Sequence, residues 1–301
     1  MGTRGGRAQV LAAALALGFA VPAIAAPALD LYYQRSLMLA ADKDCRLFAS
    51  DIGQALAASA IQARSAALRS GAGKAELADL QARAGADALT AGCRSPTIAA
   101  AARQVRAAFV GYARLEHMDF PGEFAGWSAE RSPAGTRLEW RVSQRVRFGW
   151  DELVFGVAGR GSDRPLMAVA SFADCATPYA ARLVLRDTSV TEGPFLDWRQ
   201  SDLAGHLPID ARLPPRASTR TFAAEAMSPA GSDLAAKEMT DAWAFRFPDA
   251  AKAALADLDP REAVAVEFLF AGDSGGEDVR TAYIEVGDFA AAQAFERIAQ
   301  R

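Results

Sequence analysis

Residues 138–147 read Leu-Glu-Trp-Arg-Val-Ser-Gln-Arg-Val-Arg, and this alternation decides the fold. Leu138, Trp140, Val142, Gln144 and Val146 fall on one side of an extended chain, and Glu139, Arg141, Ser143, Arg145 and Arg147 on the other. A period of two marks a strand with one apolar and one solvated face. The chain upstream follows a different period. The change comes near Phe120-Pro121-Gly122, a combination that breaks regular structure.

Upstream of that break the spacing is helical. Ile52, Leu56, Ala60, Ala63 and Ala67 predict a helix over 51–69, interrupted by Gly71 and Gly73. Leu77, Leu80, Ala84, Ala88 and Ala91 predict the next over 74–91, with Gly92 placed for a left-handed stop. Ser95 as cap and Pro96 in the first turn open a further helix carrying Ile98, Ala101, Val105, Phe109 and Tyr112. A first helix is predicted over 30–43 with Tyr33, Leu37 and Met38. Alanine faces let helices approach closely, so residues 26–118 are expected to form a compact antiparallel bundle.

Downstream, apolar runs at 153–157, 166–172, 181–186, 243–247, 263–270 and 281–286 read as further strands, with short helices at 249–256 and 288–299. Turns rather than helices separate most of the strands. The expected class is therefore α+β, with a mainly antiparallel sheet region over 119–301. Residues 187–219 are rich in Pro and polar side chains, lack periodicity, and read as a long irregular loop.

The first 25 residues carry an address. Arg4 and Arg7 precede an apolar run over 10–21, and Ala23-Ile24-Ala25 supplies a small-x-small cleavage pattern. This is the layout of a secretory signal peptide over 1–25, and its Ala-rich composition points to a bacterial periplasm. The run falls short of the roughly 20 apolar residues that a spanning helix needs, and no later stretch supplies a transmembrane anchor. The full chain has a net charge of −3, which becomes −5 once Arg4 and Arg7 leave with the leader. A mildly acidic protein has no electrostatic reason to bind nucleic acid or an anionic membrane.

The three cysteines are Cys45, Cys93 and Cys175. An oxidising compartment permits a disulfide. Three pairings are open, and the helix assignments favour Cys45 with Cys93. A hairpin of the 51–69 and 74–91 helices would bring both to its open end. With no C-x-x-C spacing, the bridge reads as a staple rather than a redox centre. Cys175 is then unpaired, and reads as a small hydrophobe or an incidental thiol.

Gly272-Asp273-Ser274-Gly275-Gly276 is identical to the five residues around the nucleophile of chymotrypsin-like serine proteases, and the chain resembles that family over this stretch alone. The resemblance implies Ser274 as nucleophile, the amides of Gly272 and Ser274 as oxyanion donors, and His117 or His206 as base. Neither histidine stands in the family's Ala-Ala-His-Cys context, and Glu277 follows Gly276 where the family has Pro. A second reading of the same residues is a hairpin loop between 263–270 and 281–286. The acids Asp273, Glu277 and Asp278 are hard oxygen ligands, but they lack the order of an EF-hand loop.

Other polar and aromatic residues offer weaker signals. Arg141, Arg145 and Arg147 make a basic stripe that suits an anionic sugar or phosphate, or pairs with acids on a neighbouring strand. Trp127 and Trp198 fall in irregular segments and are candidates for stacking on a ligand, whereas Trp140 reads as a core anchor. No His or Cys pair has metal-ligand spacing, and no phosphate loop, dinucleotide fingerprint or Gly-x-Ser-x-Gly elbow is present, so no metal or cofactor is expected. The expectation is an exported, non-catalytic protein that binds a small ligand or an envelope partner. A serine hydrolase using Ser274 and a structural envelope component are the alternatives.

Overall fold

The computed structural model describes residues 25–131, 138–195, 207–272 and 275–299. Residues 1–24, all but the last residue of the leader expected over 1–25, lie outside the described residues, as do Trp198, His206, Asp273 and Ser274. Four helices come first: α1 (Ala25–Cys45), α2 (Ser50–Arg69), α3 (Lys74–Ala91) and α4 (Pro96–Tyr112). Ser95 caps α4 by accepting from the Ile98 amide at 3.4 Å, and Gly92 ends α3 with φ 70°. Arg35 and Asp42 of α1 lie against Ser59 and Gly53 of α2, so these two helices run antiparallel.

The expected hairpin of α2 and α3 is replaced by a different arrangement. α1 packs against both α2 and α3. Tyr32 bonds Gln81, Tyr33 bonds Asp87, and Cys45 is joined to Cys93, so α1 and α3 run side by side in the same direction. The sulfurs meet because the C-terminal ends of α1 and α3 lie together, with Cα atoms 5.4 Å apart. The pairing follows the sequence expectation, but by this different route.

Eleven strands form two antiparallel sheets among the described residues. The larger has the order β1 (His117–Phe120), β2 (Trp127–Glu130), β3 (Glu139–Phe148), β4 (Asp151–Gly159), β5 (Leu166–Ser171), β9 (Trp243–Phe247) and β8 (Ala226–Pro229). The smaller has the order β11 (Glu277–Glu285), β10 (Ala263–Ala271), β6 (Ala180–Arg186) and β7 (Thr219–Ala223). The α+β class expected from the sequence is observed. β1, β2, β7 and β8 were not anticipated. Each is four or five residues long, and neighbouring strands rather than internal alternation define them.

The sheets pack face to face through aromatic rings. Phe148 of β3 stacks on Phe268 of β10 at 5.7 Å between centroids, and Phe245 of β9 meets the same ring at 5.3 Å. Such pairs contribute roughly 0.5–1.5 kcal/mol each beyond their buried area. The outer face of the larger sheet is covered by residues 230–242, where Leu234, Met239 and Ala242 pack on Val154, Ala158 and Val169. β4 is thus buried on both faces, which explains its unbroken apolar run.

Two short helices complete the fold, α5 (Asp249–Ala256) and α6 (Phe289–Glu296). Phe289, Ala292 and Phe295 of α6 share one core with Ile52, Ala55 and Ala58 of α2 and with the facing sheets. Arg69 at the end of α2 forms a two-pronged ion pair with Asp288, the residue before α6, at 2.9 and 3.0 Å.

β3 departs from the simple alternation that introduced it. A bulge falls between Trp140 and Val142, so the register with β4 skips Arg141. Arg141 therefore turns inward and is 1% exposed, instead of joining Arg145 and Arg147 in a solvated stripe. Gly156 on β4 faces the bulge with φ 152°, where an added Cβ would lie 2.0 Å from the Val142 carbonyl oxygen. Only glycine fits this approach of two backbones.

Candidate functional site

The most prominent polar anomaly lies in the helical region. α1, α2 and α4 leave between them a groove of about 670 Å³. Its apolar wall is built from Leu37, Met38, Leu56, Val105 and Phe109, residues that fall on the inner faces of their helices. Ala101 and Ala108 of α4 have little side chain with which to fill the space, so the groove stays open.

Tyr33 and three glutamines, Gln34, Gln62 and Gln104, also line the groove, and three further polar side chains stand out there. Arg35 of α1 is half-buried and donates from Nη1 to the Ser59 carbonyl oxygen at 2.6 Å. Among the described residues no carboxylate pairs with it, and burial holds its pKa below the ordinary arginine value. Ser59 of α2 is 2% exposed, and its Oγ has no hydrogen-bond partner among the described residues. Tyr112, at the end of α4, has a buried Oη that is likewise without a partner. Burial pushes the Tyr112 phenol up to about 12, against the opposing pull of the Arg35 and Arg131 guanidiniums. Each buried hydroxyl left unpaired costs about 1–3 kcal/mol. Two such groups lie beside the Arg35 cation at this groove.

Those of the residues singled out from the sequence that are described are not gathered into a common site. Arg141 is buried and lies 3.5 Å from Glu139; Arg145 and Arg147 pair with Glu238 and Glu152, each at 3.5 Å. The stripe is thus divided between the protein interior and acid partners. Trp127 is 1% exposed, with its Nε1 donating to the carbonyls of Glu285 and Val286, so it cannot stack on a ligand. Its burial follows from pairing of the short strands β1 and β2, which the sequence did not reveal. Trp140 is partly buried and donates to the Leu234 carbonyl oxygen at 2.9 Å.

The Gly-Asp-Ser-Gly-Gly segment joins β10 to β11, whose register closes at Ala271 opposite Glu277. The Gly272 amide, assigned to the oxyanion hole by the resemblance, donates to the Gly276 carbonyl oxygen at 2.8 Å. His117 stands on β1 with Nδ1 2.6 Å from Glu130 and Nε2 3.2 Å from Asp119. Both ring nitrogens face acids rather than a nucleophile. Hydrogen bonds to Glu130 and Asp119 push the imidazole pKa above its ordinary value of 6.5.

This shift gives a pH prediction. Since the folded pKa is raised, the stabilisation from His117 is present below the unfolded pKa and is lost as pH rises through the folded one. NMR titration should place the His117 midpoint above 6.5. Glu130→Gln should move it back down. An unchanged midpoint in that variant would remove the assigned cause.

Cys175 is exposed, with φ 57°, which rules out the small buried hydrophobe and leaves the incidental thiol of the two expected alternatives. It borders a second pocket with Lys237, Asp241 and Trp243. Among the described residues no three His, Cys, Asp or Glu side chains form a metal-binding group. No described helix is long and apolar enough to cross a membrane.

Arg35 and Ser59 were missed in the sequence, and Tyr112 was read there only as part of an apolar face. The available signal was Ser59 itself: it lies three residues after Leu56 and four before Ala63, on the face predicted to be buried. Comparison with known proteins finds no matching family model, no matching curated protein and no matching solved structure.

Proposed function

We propose that this is an exported, non-catalytic binding protein whose site is the groove between α1, α2 and α4. The observation that carries the reading is the meeting of unsatisfied Ser59 Oγ and Tyr112 Oη with Arg35 in a recess that Leu37, Met38, Leu56, Val105 and Phe109 line on one wall. Its volume of about 670 Å³ lies within the range of roughly 300–1,000 Å³ typical of small-molecule sites. Export is supported by the leader and by the Cys45–Cys93 bridge, since such bridges persist in oxidising compartments.

N-phenyl-1-naphthylamine, a neutral dye that brightens in apolar surroundings, tests the reading. Its fluorescence should rise saturably on titration with the purified protein. Val105→Trp places an indole in the groove and should weaken that binding by at least about tenfold, a change of about 1.4 kcal/mol. Far-UV circular dichroism would establish that the variant is folded. Equal dye binding by folded Val105→Trp protein, or no saturable binding by the parent, overturns the proposal.

A further inference from the structure

We infer that the groove takes an aliphatic monocarboxylic acid, its carboxylate held by Arg35, Ser59 and Tyr112 and its chain lying along the apolar wall. The inference rests on the reading of the groove as a binding site and adds the chemistry of the ligand.

Charge decides the head group. Arg35 carries five N–H donors, of which one is engaged by the Ser59 carbonyl oxygen. A half-buried guanidinium that lacks a carboxylate among the described residues favours an anion over a neutral or cationic group. Arg131, close enough to act on the Tyr112 phenol, adds positive potential behind the site. Its side chain is held by the carbonyls of Ala113, Leu115 and Ile298. The two orphan hydroxyls can each donate to an oxygen. A carboxylate offers about four lone-pair positions on two oxygens, which suits the guanidinium fork and two O–H donors together.

The walls decide the remainder of the ligand. Leu37, Met38, Leu56, Val105 and Phe109 offer carbon surface, so a bare inorganic anion would leave the groove unfilled. One arginine lines the recess, which matches a single negative charge. Tyr33, at the border, is already bonded to Asp87 at 2.5 Å, and that carboxylate faces solvent. The Arg83 guanidinium lies over the Tyr33 ring at 5.5 Å, so the charges at this border balance and Arg35 alone sets the charge preference of the recess.

Decanoate and 1-decanol form a matched pair of probes, alike in chain and different in charge. Each is titrated by calorimetry into the purified protein, below its aggregation concentration and at a pH where decanoate is ionised. The expected result is decanoate binding at least about tenfold tighter than decanol, since hydrogen bonds to charged groups contribute about 1.5–3 kcal/mol. Arg35→Gln should remove that preference by weakening decanoate at least about tenfold more than decanol, and Arg35→Lys should restore part of it. Ser59→Ala and Tyr112→Phe should each weaken decanoate severalfold. The comparison on the parent protein needs no variant to fold. Equal affinity for the two probes overturns the carboxylate inference and leaves the groove reading standing. Binding of neither probe, together with failure of the dye titration, overturns both.

Discussion

Replacing Glu262 with Gln is expected to destabilise the protein by about 3–5 kcal/mol, the largest loss from any single change considered. Glu262 and Arg186 are each 1% exposed, and their fork-to-fork contacts measure 2.7 and 2.8 Å. Glu262 Oε1 also accepts the Asp259 amide at 2.9 Å, and Arg186 Nη1 donates to the Thr191 carbonyl oxygen at 2.6 Å. The pair fastens β6 to the turn that leads into β10. Gln keeps the shape but removes the charge, and it turns an N–H₂ group toward the guanidinium. A buried cation is then left without its counter-ion, and that desolvation cost outweighs the modest value of the lost hydrogen bond. The double variant Glu262→Met with Arg186→Met removes both charges and should recover most of the loss. Urea unfolding of the parent and the variants measures these values. A loss below about 1 kcal/mol in the Gln variant would show that water reaches the pair.

Removing the Cys45–Cys93 bridge is expected to cost about 4 kcal/mol. The cysteines are 48 residues apart, and the chain-entropy model gives this figure for a closed loop of that length. Because the bridge joins the ends of α1 and α3, its loss also frees the packing of α1 on its neighbours. Cys45→Ala with Cys93→Ala should lower the unfolding midpoint, and the parent protein in reductant should match that variant. Cys175→Ser belongs in every sample, because the exposed thiol could otherwise exchange with the bridge. Identical midpoints for oxidised and reduced protein would assign the helical stability to packing alone.

Much of this architecture was legible because local chemistry and tertiary context agreed. Lys74–Ala91 is bounded by glycines on both sides, and Asp249–Ala256 follows Pro248, so their limits are marked in the chain. The bulge beside Arg141 was invisible because bulged strands have no distinctive composition at the extra residue. Its signal lay on the opposite strand, in Gly156 within an apolar run. The four short strands owe their existence to partners distant in sequence. Trp127 became legible as core only once β2 paired with β1 and its indole reached the Val286 carbonyl oxygen. Arg35, Ser59 and Tyr112 stand on three separate helices, so only their packing brings them together.

The placement of α6 has a consequence for how the chain matures. This helix fills the space between α2 and β3, and Arg69 meets its partner 219 positions later, at Asp288. The buried face of α2 therefore lacks its cover until residues 288–298 have been delivered, and native contacts this far apart close late. Under the export proposed above, a polypeptide threaded through a translocation pore from its amino end would remain open during passage and lock only as this segment arrived. Assembly would then be tied to completion of transport, and a chain truncated before residue 288 would present a naked apolar helix surface to chaperones and proteases.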